Sequence, residues 1–266
     1  MSSAVGHNTS SNAVKKFKVM CVEKEKQALL KFKDGLVDED NQLCLWGNQE
    51  EDCCKWRGVK CNKNSGHVYG LDLRPTIVYN PNGISLSYMP FKGEIGSSLL
   101  ELQYLTYLDL SLFEGSETSI PKFIGSLTNL RYLNFSGCNF IGTIPYQLRN
   151  LTRIPISLGN PFSLEALDLS WNNLTGEVPN LSNFSFIKEL RLPMNKLNGS
   201  LTESTGLLSN VEVMDISSNS MNGVISDIHF LTLSKLRHLD ISLNSFTLNL
   251  SSYWVPNWVP PFSLIS

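Results

Sequence analysis

Five aspartates recur at one register: Asp72, Asp109, Asp168, Asp215 and Asp240 each stand between two apolar residues of a repeated segment. A row of carboxylates could hold a metal or do general acid–base work. Repetition at one register instead marks a position of a repeating unit, here on the solvated face of a strand. The four histidines, His7, His67, His229 and His238, form no H-E-x-x-H, and no G-x-S-x-G, Walker loop or G-x-G-x-x-G occurs. The sequence therefore points away from an enzyme and calls for no cofactor. Five of the six cysteines fall between Cys21 and Cys61. Such a cluster could take zinc or form disulfides, and the lack of a paired C-x-x-C weighs against zinc.

What positions these residues is a repeat. The chain has 266 residues, 42% apolar and 17% charged, with a formal charge of −2. That is enough apolar matter for a core and too little charge for disorder, and it implies no nucleic-acid partner. Forty Leu and 25 Asn stand out. Seven segments read L-x-x-L-x-L with apolar substitutions, and their middle apolar residues are Leu71, Leu108, Leu133, Leu167, Leu190, Met214 and Leu239. Successive spacings are 37, 25, 34, 23, 24 and 25 residues. A period near 24 predicts short strands, one buried face each, stacked as a parallel sheet on one side of a coil. No single turn can bury its own face, so stacking makes the core.

Asn172, Asn195, Asn219 and Asn244 each follow the last strand Leu or Ile by three residues. An amide there can bond backbone groups of neighbouring coils. Cys138 takes this place in the third repeat, where it is expected buried and reduced, and Phe113 or a neighbour takes it in the second. The 37-residue spacing holds a polar stretch read as a surface loop. The 34-residue spacing predicts a distorted coil near Arg149–Pro161.

The units LTGEVP (Leu174–Pro179), FIGTIP (Phe140–Pro145), MNGVIS (Met221–Ser226) and LNGSL (Leu197–Leu201) follow the turns. The combined string L-x-x-L-x-L-x-x-N-x-L-x-G-x-I-P resembles the plant-specific leucine-rich repeat of extracellular receptors. Asp52–Cys61, DCCKWRGVKC, is similar to the N-terminal cap of the same plant receptor-like proteins, and the resemblance covers nearly all of residues 21–264. It implies an α/β leucine-rich-repeat solenoid with a parallel sheet on the concave face and a disulfide-stapled helical cap. The family pairing would bridge Cys21 with Cys53 and Cys54 with Cys61, leaving Cys44 as a departure. By residues alone, six cysteines allow 15 connectivities.

Before the cysteines, Val22, Leu29, Phe32 and Leu36 lie near one helical face, and Gly35 supplies a stop. The expected division is a disordered tail at 1–20, a cap at 21–67 and about seven repeats at 68–261. Residues 262–266 would begin a truncated further strand. The tail's Lys15, Lys16 and Lys18 are read as solvated.

Disulfides imply an oxidising compartment. Eight N-x-S/T sequons agree, of which Asn134, Asn150, Asn173, Asn180, Asn183, Asn198 and Asn249 are candidate glycan sites and Asn8 precedes the cap. A glycan on Asn134 would obstruct the concave face. The start lacks a clear signal peptide and no stretch would span a membrane, so the chain is expected to be a fragment of a receptor ectodomain. Candidate ligand-binding residues on successive strands are Tyr107, Tyr132, Trp171, Glu189, Arg191 and His238, since exposed Tyr, Trp and Arg supply interface energy.

The resemblance implies recognition of an extracellular peptide, glycan or protein elicitor, and signalling in defence or development through a partner receptor kinase at the plasma membrane. The alternatives are a secreted polygalacturonase-inhibitor-like protein and a truncated, non-functional receptor gene product.

Overall fold

The computed structural model describes residues 19–47, 50–79, 85–115, 118–152, 163–182, 184–250 and 260–263. The tail lysines, Trp254 and Trp258 lie outside these.

The cap begins with the helix Glu23–Asp34. Glu23 and Glu25 occupy its first turn and Lys31 and Lys33 its last, each sign opposing the helix dipole. Ala28, Leu29 and Phe32 are buried against the first coils. Leu36 is not on this helix. The helix ends at Asp34, and Leu36–Val37 form a two-residue strand paired antiparallel with Lys92–Gly93.

Among the described residues, eight strands make the main sheet. Seven are parallel, and their middle residues align: Leu71 beside Leu108, then Leu133, Leu167, Leu190, Met214 and Leu239. The first six of these residues are buried, and Leu239 is partly buried on the last strand. The eighth strand, Val59–Cys61, comes from the cap, pairs antiparallel with Val68–Asp72 and forms the sheet's first edge. It is only three residues long and its pairing is broken by a register shift, features that blunt an edge against association.

Both irregular spacings resolve within single coils. The polar stretch is not simple loop: Thr76–Tyr79 and Ser85–Met89 pair as an antiparallel hairpin. Across the 34-residue spacing, Leu133 and Leu167 are direct neighbours, so one long coil joins them. After the strand Ile141–Thr143 it runs through the 3-10 helix Tyr146–Thr152, and residues 153–161 of the expected distortion lie outside the described residues.

The L-x-G units form further parallel ladders, Ile141–Thr143 with Asn173–Glu177 and Lys196–Asn198, and Asn222–Ser226 with Ser245–Asn249. Near the end, Phe262 packs edge-on against Phe230 at 5.8 Å. Residues 264–266, most of the expected further strand, lie outside the described residues.

The turn asparagines tie coil to coil. Asn172 donates to the carbonyls of Phe135 (2.8 Å) and Leu169 (3.0 Å) and accepts from the Phe140 amide (2.9 Å). Asn195, Asn219 and Asn244 repeat this pattern. Cys138 holds the position with its thiol on the Leu110 carbonyl, 3.1 Å away.

Candidate ligand-binding face

The cap is stapled by Cys21–Cys53 and Cys54–Cys61. The four sulfurs lie within 4.8 Å of one another, but bonded in pairs they offer no thiolate to a metal. Cys44 is exposed and stands outside both bridges. Trp46 and Trp56 stack at 5.2 Å, and Trp56 donates its indole N–H to the Glu50 carbonyl. Gly58 turns the chain at φ +78°, where a Cβ would lie 2.1 Å from the Asp72 carbonyl oxygen, so only glycine fits. Sequence reasoning passed over Glu25. It is only 3% exposed, and it accepts from the Val68 amide (2.7 Å) while lying 2.9 Å from His67 Nδ1.

The aspartate row is structural. Asp109, Asp168 and Asp215 each accept from both the amide and the hydroxyl of the serine two residues on, and Asp240 accepts from the Ser242 amide. Each carboxylate thereby shapes the turn that leaves its strand. Asp109 departs from the expected solvated position and is fully buried. Tyr107 and Tyr132 stack above it at 4.4 Å and 5° between planes. Both hydroxyls donate to Asp109 Oδ2, at 3.3 and 3.2 Å. Burial first, then the Asp109 charge, pushes both phenols above the ordinary tyrosine value.

Asn134 belongs to the same cluster. It is 9% exposed, donates to Asp109 Oδ2 (3.2 Å), and accepts from the Ser136 amide (2.9 Å). Its amide nitrogen is engaged inside the fold, also donating to the Tyr132 hydroxyl at 3.3 Å. Asn180, Asn198 and Asn249 are exposed, Asn150 and Asn173 half-buried, and Asn183 lies outside the described residues.

Further along, Arg191 pairs with Glu189 on its own strand at 3.2 Å, and His238 is exposed. Trp171 is 64% exposed in a left-handed backbone conformation, φ +55°. Met194 and Leu243, at the same place one and three coils on, are also exposed with positive φ. The turn geometry that buries each following asparagine tips these side chains outward. Glu189, Arg191 and His238 lie on later strands of the sheet, with Trp171 and Met194 on the turns, and Tyr132 lines one depression together with Glu189.

The architecture defines a capped leucine-rich-repeat solenoid. Residues 22–62 match the leucine rich repeat N-terminal domain, and residues 129–151 and 160–177 match leucine rich repeats. Receptor-like protein EIX1 of Solanum lycopersicum is 37% identical over 249 residues, 90% of this chain and 23% of that protein. Receptor-like protein EIX2 of the same species is 47% identical over 134 residues, 50% of this chain and 13% of that protein. Among solved structures, the crystal structure of a plant ice-binding protein superposes with a TM-score of 0.64 at 26% identity, covering 85% of this chain and 73% of that one. The chain is of the plant leucine-rich-repeat receptor-like type. It spans less than a quarter of the length of these two curated relatives. No helix among the described residues is long and apolar enough to cross a membrane.

Proposed function

We propose that this chain is part of the ligand-recognising ectodomain of a plant cell-surface receptor-like protein. On this reading it binds an extracellular peptide, glycan or protein and signals through a partner receptor kinase in defence or development. The observation that carries the reading is the in-register concave sheet flanked by Trp171, an indole exposed on a turn whose backbone is locked coil to coil. A large aromatic held at little entropic cost is the kind of group that anchors an interface. A shallow curved face suits a macromolecular partner better than an enclosed substrate. The two disulfides support an oxidising, extracellular setting, and the likeness to receptor-like proteins supports the class. Tyr107, Tyr132, Glu189, Arg191 and His238 complete the proposed contact residues, and Asn150, Asn173, Asn180, Asn183, Asn198 and Asn249 the proposed glycan sites.

The test is binding of the immobilised chain to fractions of microbial culture filtrate and plant cell-wall extract. A fraction retained by the native chain and lost by both Trp171→Ala and Arg191→Ala supports the reading. Retention indifferent to both variants overturns it. Strong inhibition of a fungal polygalacturonase by the chain would favour the inhibitor-like alternative instead.

A further inference from the structure

We propose that an N-linked glycan on Asn180 folds back over an apolar depression on the flank of the array and serves as its cover. The inference rests on the receptor reading, because such a glycan is added on the secretory route which that reading requires. The depression is open, about 460 Å³, and is lined by Asn180 together with Leu207, Ile228 and Leu231 from the next two coils.

Its shape follows from how those coils meet. The 3-10 turns Glu203–Leu207 and Asp227–Phe230 pack so closely that a Cβ on Gly206 would lie 2.1 Å from the Ile228 carbonyl oxygen. No side chain can rise from that joint, so a trough is left beside it. Leu207, Ile228 and Leu231 remain exposed along the trough, while their neighbours Leu208, Phe230 and Leu233 are buried in the core. Large aliphatic side chains gathered on one open surface gain by being covered.

The attachment point stands on the rim. Asn180, Leu181 and Ser182 form a sequon whose central leucine is buried, so the segment is anchored while Asn180 and Ser182 on either side are exposed. Asn180 Oδ1 accepts from the Ser182 amide at 2.9 Å, and its Nδ2 has no hydrogen-bond partner among the described residues. Asn173 differs, because its Nδ2 donates to Asn139 Oδ1 at 3.3 Å. Transfer forms the bond from Asn180 Nδ2 to C1 of an N-acetylglucosamine. It breaks the C1–O bond to a polyprenyl pyrophosphate donor and releases the lipid pyrophosphate and one amide proton. The C–H faces and acetyl methyls of the first sugars can then lie on the aliphatic side chains, with Ser182, Glu203 and Thr232 on the rim as partners for their hydroxyls. Tethering makes the contact intramolecular, so a weak apolar contact suffices to hold it.

The experiment secretes the full chain from plant cells behind an added signal sequence, with Asn183→Gln so that the neighbouring sequon stays bare. Glycopeptide mass spectrometry reads occupancy, and hydrogen exchange reads the cover. Expected is a glycan on Asn180, with exchange across Glu203–Leu207 and Asp227–Phe230 at least about threefold slower than in Asn180→Gln or in Ser182→Ala, which keeps the asparagine and destroys the sequon. Leu207 and Leu231 are exposed, so Leu207→Ser with Leu231→Ser should keep the fold and erase that difference. A bare Asn180, exchange indifferent to the glycan, or slowing that survives the double serine variant overturns the proposal. Dimerisation of the glycosylated chain, lost in the double serine variant, overturns it in favour of a second copy on the patch. Sugar on Asn198 or Asn249 with Asn180 bare defeats this inference alone. Secreted chain bare at every sequon defeats it and also removes support for the extracellular setting of the receptor reading.

Discussion

The side-chain amide of Asn195 donates to the carbonyl of Leu169, one coil earlier, at 2.9 Å. The same amide bonds Leu192 in its own coil and its oxygen accepts from the Leu174 amide. One side chain therefore satisfies buried backbone groups in successive turns. Asn195→Ala should destabilise the array by about 2–4 kcal/mol, because it strands several buried polar groups. Asn195→Asp, nearly the same shape, should cost at least as much, since a carboxylate cannot donate to those carbonyls. Urea denaturation, with hydrogen exchange to localise the loss, checks both; an Asp variant as stable as the native chain would refute the argument.

Trp171 pays a backbone cost for its exposure. Its φ of +55° is disfavoured for a side chain with a Cβ. Trp171→Gly should leave stability unchanged or raise it by up to about 1 kcal/mol, while binding on the concave side falls. Calorimetric melting and a binding titration on the same preparation separate the two effects.

Gly58 seats the cap. With a Cβ meeting the Asp72 carbonyl, Gly58→Ala must displace either the cap strand or Val68–Asp72. A loss of about 2 kcal/mol or more is expected, seen as earlier exchange of cap amides in hydrogen-exchange mass spectrometry.

Reducing the cap should lower stability by a few kcal/mol. The bond between Cys21 and Cys53 closes a separation of 32 residues, and chain-entropy reasoning gives about 3–4 kcal/mol for a loop of that length. A melting curve of the oxidised protein unmoved by reductant would contradict this.

The remaining thiols should differ in reactivity. Cys44 is exposed, whereas burial pushes the Cys138 thiol up to about 12. Iodoacetamide at pH 8 should label Cys44 in the native chain and Cys138 only after unfolding, as peptide mass spectrometry would show.

The leucine spacing by itself determined the solenoid. Hydrophobic burial needs only the right residue type at a fixed interval, so Leu71, Leu108, Leu133, Leu167, Leu190, Met214 and Leu239 could be aligned before any coordinates. The asparagine turns were legible for the same reason, because the bond recurs wherever the repeat does. Tertiary structure alone decided which strand positions remain open to a partner. Asp109 and Asn134 read as outward positions by alternation, yet Tyr107 and Tyr132 fold over them and bury them. The depression beside Asn180 was equally hidden, since Leu207, Ile228 and Leu231 reach it from later coils. Periodicity reports the face a residue occupies on its own strand. What covers that face is set by neighbours two dozen residues away.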